Sequence, residues 1–235
     1  RALLTEAAGA LNLYPDPMSN AVRDRLAERF ELEREMFLVG NGGDDILTIV
    51  SRCLAGPGDT IAYPTPTYIL YETLSDLQGA AKLEVAFPED FSLPAELFGN
   101  PAKVTFLANP NSPSGTSVPP AGVKALAESL KGVLVVDEAY ADFADDNCMG
   151  LVGKLPNLCI LRSFSKSFSL AGMRVGYLAG PEALIDEFMK AKDSYNVNRL
   201  AIVAAAEALD DYDYMLSSVA KIRRTRGFLT EALTA

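Results

Sequence analysis

Short, continuously apolar runs alternate along this chain with stretches in which apolar residues return every three or four positions. The runs are Thr60–Tyr63, Leu83–Phe87, Val104–Ala108, Val133–Val136, Cys159–Leu161 and Gly176–Ala179. Runs this short, apolar at successive positions, suit strands of a sheet covered on both faces. Between them the helical period predicts helices. Ser19 is placed to cap one that runs through Phe30, with Val22, Leu26 and Phe30 on one face. Others follow over Asp44–Leu54, Tyr68–Leu77, Pro120–Leu130, Pro181–Lys192 and Leu200–Asp210, and a long final helix spans about Tyr212 to Leu233. The alternation predicts a three-layer α/β domain with a mostly parallel sheet. In such sheets ligands bind beyond the C-terminal ends of the strands. Each polar cluster discussed below follows an apolar run, so the fold would bring the clusters together. No repeat, low-complexity tract or linker interrupts the pattern, and the proline-rich spots at Tyr63–Pro66, Asn109–Pro113 and Val118–Pro120 read as loops.

Composition narrows the function classes. The 235 residues suffice for a sizeable core. A formal net charge of −10 argues against a nucleic-acid surface and against attraction to an anionic membrane. No apolar run approaches a membrane span and the first residues show no signal-peptide pattern, so a cytoplasmic protein is expected. Cys53, Cys148 and Cys159 are far apart and odd in number, which fits reduced thiols rather than a disulfide framework or a metal site. The chain contains no histidine. A Ser-His-Asp triad, a Cys-His dyad and a His-ligated zinc site are therefore excluded within it. Acid–base chemistry falls to Lys, Tyr, Asp, Glu or a cofactor, and no metal is expected.

The sharpest local signal is Ser163-Phe164-Ser165-Lys166 with Arg174 eight residues on, directly after an apolar run. A lysine amine suits a Schiff base, and serines with an arginine suit a phosphate. Together they match what a phosphorylated aldehyde such as pyridoxal 5′-phosphate (PLP) requires. A lone lysine is far more often a solvated surface residue, so the weight rests on further clusters. Asp137-Glu138-Ala139-Tyr140 closes the Val133–Val136 run. Asp137 there is either a loop cap or a carboxylate that keeps a pyridine nitrogen protonated. Asn109-Pro110-Asn111-Ser112-Pro113-Ser114-Gly115 is an irregular loop able to hold an asparagine toward a ligand. Gly40-Asn41-Gly42-Gly43-Asp44-Asp45 precedes a helix, where backbone N–H groups attract anions, although the spacing fits neither the Rossmann nor the P-loop motif. Tyr68 is placed either to stack on a flat ring or to fill the core.

These motifs, in this order, resemble those of the fold-type I PLP-dependent aminotransferases. Leu13-Tyr14-Pro15-Asp16-Pro17, Gly42-Gly43-Asp44-Asp45 and Tyr195-Asn196-Val197-Asn198 are similar within that group to the histidinol-phosphate aminotransferases. The resemblance spans nearly the whole chain. It implies that Lys166 bonds the cofactor aldehyde, Asp137 pairs with the pyridine nitrogen, Asn111 and Tyr140 contact the phenolic oxygen, and Tyr68 stacks on the ring. Gly43 and Asp44 backbone amides with Ser163, Ser165 and Arg174 would hold the phosphate. Tyr14 would reach the phosphate of a partner subunit, making a homodimer with shared active sites, and Asn196 would lie on the substrate side. The implied reaction is transamination between histidinol phosphate or imidazole acetol phosphate and 2-oxoglutarate or glutamate, in histidine biosynthesis. An aromatic aminotransferase, a threonine-phosphate decarboxylase, a C–S lyase or a non-catalytic PLP-binding fragment shares the same cradle. The regulator domains built on this fold need a basic helix-turn-helix, which is not seen here. Two departures stand out. Asp45 occupies a position where the family usually has Glu. Relatives also carry an N-terminal Asn-Glu-Asn-Pro-Tyr-like segment and a small C-terminal domain that supplies the arginine for the substrate carboxylate. Residues 1–235 therefore read as the PLP-binding large domain, its final helix from about 212 leading toward that small domain.

Overall fold

The computed structural model describes residues 2–234. Its centre is a sheet of seven strands: β1 (Phe37–Gly40), β2 (Thr60–Thr65), β3 (Ala81–Ala86), β4 (Val104–Ala108), β5 (Val133–Asp137), β6 (Leu158–Ser163) and β7 (Gly176–Ala179). Their spatial order is β1-β7-β6-β5-β4-β2-β3. The pairings among β3, β2, β4, β5 and β6 are parallel, and β7 runs antiparallel to both β6 and β1. The three-layer, mostly parallel expectation is met.

Eight helices accompany the sheet among the described residues: α1 (Ala2–Ala8), α2 (Asn20–Phe30), α3 (Gly43–Leu54), α4 (Leu70–Gln78), α5 (Pro120–Ser129), α6 (Glu182–Ala191), α7 (Arg199–Asp210) and α8 (Tyr212–Thr234). Period-two alternation in the strands divides the core into two layers. On one face Val39, Leu107, Leu134, Val136 and Ile160 pack with Val22 and Leu26 of α2, Leu126 of α5 and Ala205 of α7. On the other Leu38, Phe106, Val135, Cys159 and Leu161 pack with Ile46 and Val50 of α3, Tyr71 and Leu74 of α4, and Phe188 of α6. Strands β4 and β5 are buried at every position, which is why their sequence shows no polar alternation.

The structure departs from the sequence expectation at three places. Strand β1 was not anticipated, because four residues ending in Gly40 carry too little pattern; its edge pairing with β7 decides it. Helix α1 was likewise missed, since Ala-rich Ala2–Ala8 has no amphipathic period. Ser19 does not cap α2 with its side chain: its φ is 52° and its hydroxyl makes no capping bond. Asp16 performs that task, its two carboxylate oxygens accepting from the Met18 N–H (2.9 Å) and the Asn20 N–H (2.7 Å). A carboxylate with two acceptors and charge complementary to the helix N-terminus outcompetes a single hydroxyl.

Close approach makes Gly132, just before β5, a sharp test of the packing. A Cβ there would lie 2.1 Å from the Ala102 carbonyl oxygen and 2.7 Å from that of Lys103, both backbone atoms that cannot rotate away. We expect Gly132→Ala to destabilise the protein by about 1–3 kcal/mol, read as a fall of several degrees in thermal denaturation. An unchanged melting temperature would show that the β4–β5 edge relaxes freely.

Candidate active site

The site forms where the register of three parallel strands ends. Ala108 of β4, Asp137 of β5 and Leu161 of β6 are neighbours across the sheet. The ladder continues one step beyond, with Asn109 N–H donating to the Asp137 carbonyl (2.9 Å) and Glu138 N–H to the Leu161 carbonyl (2.8 Å). The Asp137 carboxylate is thereby fixed in the wall of a cavity of about 220 Å³. Gly43, Asp44, Tyr68, Asp137, Tyr140, Ser163, Ser165, Lys166 and Arg174 all border that cavity. Nine of the predicted site residues, scattered from 43 to 174, are thus gathered in one place.

The antiparallel return of β7 explains how Lys166 and Arg174 meet. Ser163 at the end of β6 pairs with Gly176 at the start of β7, and Phe164 N–H donates to the Val175 carbonyl (3.0 Å). Both ends of the 164–175 loop therefore stay at the C-terminal edge of β6. A parallel crossover would have carried Arg174 to the far edge. The Lys166 Nζ lies 4.9 Å from the centre of the Tyr140 ring.

Asp137 is buried and accepts two neutral donors: the Ala139 N–H to Oδ1 (3.0 Å) and the Tyr71 hydroxyl to Oδ2 (3.1 Å). Burial raises its pKa to about 6, and the hydrogen bonds and Lys166 offset that only in part. Tyr71 is itself fully buried, stacked on Phe106 with ring centres 5.0 Å apart. Burial, then the Asp137 charge, drives its phenol well above the usual tyrosine range, so it remains a donor. The sequence reading did not single out Tyr71. Its only signal is a phenol one turn on from Tyr68, on the apolar face of a helix.

Arg174 sits at the opposite end. Its Nη2 pairs with Asp44 Oδ2 (3.2 Å) and its Nη1 with Ser165 Oγ (3.5 Å). Gly42, at φ 92°, makes room: a Cβ there would stand 2.6 Å from Arg174 Nη2. Helix α3 begins at Gly43, and its first-turn N–H groups lack intrahelical acceptors. The Arg174–Asp44 pair is about half exposed, and exposed pairs are weak, so an arriving anion can compete for the guanidinium. The Tyr68 hydroxyl donates to Asp44 Oδ1 (3.1 Å), and burial with that carboxylate lifts its pKa to about 12. Tyr68 is half-buried and borders the cavity, which decides against a purely core role.

Three predicted residues lie outside this lining. Asn111 borders an adjoining cavity of about 720 Å³, shared with Tyr140, Pro110 and Ser112. Its amide nitrogen donates to the Pro66 carbonyl (3.2 Å) and Ser114 Oγ (2.9 Å), while its oxygen accepts from Thr67 (2.8 Å). Asn196 donates to Asp45 Oδ2 (2.9 Å) and the Val39 carbonyl (3.3 Å). Asp45 also accepts from the Asn41 N–H (2.8 Å), so it braces the glycine loop from behind. Tyr14 is 77% exposed and stacks on Tyr195 at 4.5 Å, away from the cavity.

An amine, a buried carboxylate and an anion cradle at the strand ends of an α/β sheet define the class. The chain belongs to the family of class I and II aminotransferases, whose model it matches over residues 1–235. Among curated relatives it is 43% identical over 224 residues to histidinol-phosphate aminotransferase 1 of Trichormus variabilis, covering 95% of this chain and 64% of that protein. It is 43% identical over 237 residues to histidinol-phosphate aminotransferase of Rhodopirellula baltica, covering 100% of this chain and 66% of that one. The chain thus spans just under two thirds of the length of these relatives. The crystal structure of histidinol-phosphate aminotransferase from Sinorhizobium meliloti in complex with pyridoxal 5′-phosphate superposes with a TM-score of 0.89 at 27% identity, over 95% of this chain and 63% of that one. The similarity to an aspartate aminotransferase variant from Thermus thermophilus, TM-score 0.85 at 24% identity, speaks to the fold alone.

The raised Asp137 pKa has a consequence for stability. Its folded-state value of about 6 lies above the ordinary 3.8, so the native state binds the extra proton between those values. Stability linked to this group is full below about 3.8 and is lost as pH rises through about 6; at about 1.4 kcal/mol per pH unit the loss is about 3 kcal/mol. Asp137→Asn removes the titration. In ligand-free protein we expect the variant to equal or exceed the wild type in melting temperature at pH 7, with the difference shrinking by pH 4. A variant less stable at pH 7 than at pH 4, relative to wild type, would contradict the assignment.

Proposed function

We propose that this chain is the PLP-binding large domain of an aminotransferase that interconverts histidinol phosphate and imidazole acetol phosphate, with 2-oxoglutarate and glutamate as the second pair, in histidine biosynthesis. The observation that carries the reading is the convergence of Lys166, Asp137 and Arg174 on one cavity. The named relatives at 43% identity favour this substrate pair over others served by the same fold.

The residues present fit the cofactor. A buried carboxylate held by neutral donors suits a ring nitrogen that carries a proton. An arginine beside a helix N-terminus, with serine hydroxyls, suits a phosphate dianion. Bound there, PLP supplies an aldehyde carbon that bonds amines and a protonated ring that accepts the electron pair left at a substrate α-carbon.

The chain's own groups do the rest. Lys166 would offer its Nζ amine to the cofactor aldehyde and, as a free amine, would be the base that takes up the proton released at the substrate α-carbon. The Asp137 carboxylate holds the proton on the ring nitrogen, and the cation it faces returns its own pKa toward the ordinary range. The Tyr71 hydroxyl and the Ala139 N–H keep the carboxylate oriented. Tyr68, on the cavity wall, would pack on the ring. Tyr140, which borders the cavity, and Asn111, in the loop beside it, would serve the phenolic oxygen. Arg174, Ser163, Ser165 and the N–H groups of Gly43 and Asp44 would hold the phosphate, with the exposed Arg174–Asp44 pair weak enough for it to compete.

In this reading the complete protein is a cytoplasmic homodimer. Exposed Tyr14 extends toward the partner's phosphate, and Asn196, anchored by Asp45 behind the glycine loop, is assigned to the substrate side by the resemblance to relatives. No helix among the described residues is long and apolar enough to cross a membrane. Helix α8 carries exposed Ile222, Leu229 and Leu233 along one face, suited to packing against a small domain.

Lys166→Ala is expected to lower transamination of histidinol phosphate with 2-oxoglutarate by at least about 10³-fold, followed as glutamate formed by the full-length enzyme. Retention of most of the wild-type turnover would reject the role of Lys166. Full activity on another amine, with none on histidinol phosphate, would reject the substrate.

A further inference from the structure

On the side of β6 turned away from the cavity lies a buried charge network that the proposed chemistry does not touch. Leu161 and Ser163 border the cavity, while Arg162 between them points to the opposite face, over the Phe30 ring at 5.9 Å. Its side chain is 7% exposed, and that of its partner Glu138 is 0%. Arg162 Nε and Nη2 both donate to Glu138 Oε2, at 3.0 and 2.8 Å. Arg162 Nη1 donates to Asp142 Oδ1 at 3.3 Å. The other Asp142 oxygen accepts from the Ser167 hydroxyl, and the other Glu138 oxygen accepts from the Cys148 N–H.

The sequence positions of these groups matter. Glu138 follows Asp137, Ser167 follows Lys166, and Glu138 and Asp142 flank Tyr140. One guanidinium therefore grips the Tyr140 turn at both ends, and through Asp142 it reaches the residue next to the lysine. A guanidinium presents its donors in a rigid plane, which an ammonium does not. Buried charges that lose a partner are costly, so the network resists rearrangement. We propose that Arg162, acting through Asp142 and Ser167, is a positioning residue that sets the Lys166 amine against Tyr140 and the cavity. A purely structural ion pair would hold the fold together without affecting the lysine.

This inference rests on the proposed bond between Lys166 and PLP, and the test separates the two. Full-length protein freed of cofactor is mixed with PLP over a range of pH. The bond at Lys166 is trapped with borohydride and counted by mass spectrometry. Pyridoxine phosphate, which lacks the aldehyde, reports the affinity of the cradle alone. Because Arg162→Met risks failing to fold, Ser167→Ala is the deciding variant: it cuts the hydrogen bond from Asp142 to the lysine turn and leaves the buried Arg162–Glu138 pair intact. We expect Ser167→Ala to slow bond formation by about tenfold and to shift its pH midpoint, with pyridoxine phosphate affinity unchanged and the melting temperature lowered only by the loss of the Asp142 hydrogen bond. A slowing of less than about threefold with an unmoved pH midpoint would overturn the positioning role. A wild-type protein that forms no trapped bond at Lys166 would overturn the proposed function, and this inference with it.

Discussion

Asp137 is a carboxylate held where water scarcely reaches, with only a phenol and an amide N–H to satisfy it. Much of the architecture follows from placing it there. The parallel register of β4, β5 and β6 sets it between Ala108 and Leu161. The helix that begins at Leu70 carries Tyr71 into the core beneath it, and Phe106 supports that ring from the sheet. Neutral donors leave a buried anion short of compensation. In the proposed function that deficit is what favours a group carrying a proton on nitrogen beside Asp137.

The chain spends its arginines accordingly. Arg174 is half exposed at the cavity's far end, in a loose pair with Asp44 that an anion can open. Arg162 is buried on the opposite face, locked to Glu138 and Asp142. Burial alone would lower its pKa, but Tyr177, Glu138 and Asp142 together raise it, so it is a permanent cation. The two residues are twelve positions apart in one β-hairpin-like return, yet one is built to exchange partners and the other to keep them. The antiparallel β7 permits both, because it returns the chain to the edge it left.

Much of this site could be read from the chain. The clusters that hold Lys166, Asp137, Ser163, Ser165, Arg174, Gly43, Asp44, Tyr68 and Tyr140 follow an apolar run or open a helix, and the resemblance to the aminotransferases singled out the individual residues within them. Tyr71 and Arg162 were not legible in that way. Each sits inside an element whose pattern is explained by burial, and its polar tip finds a partner far along the chain: Asp137 for Tyr71, Glu138 for Arg162. Asp16 displaced Ser19 as the cap of α2 for a related reason, since either side chain suits the task and only the path of the backbone selects between them.

What the sequence determined by itself was the kind of chemistry and the layered α/β plan. Absence of histidine, a lysine after serines and buried strand-length runs are properties of residues and their neighbours, and they survive without knowledge of the fold. The tertiary structure decided which polar groups share a charge. Asp44 turned out to face Arg174 with its side chain, Asp45 to brace Asn41 and Asn196, and Asn111 to spend its amide on Pro66 and Ser114. Such pairings depend on distances of a few ångströms between residues remote in sequence. Sheet order and the direction of β7 set those distances, and neither is written in any local pattern.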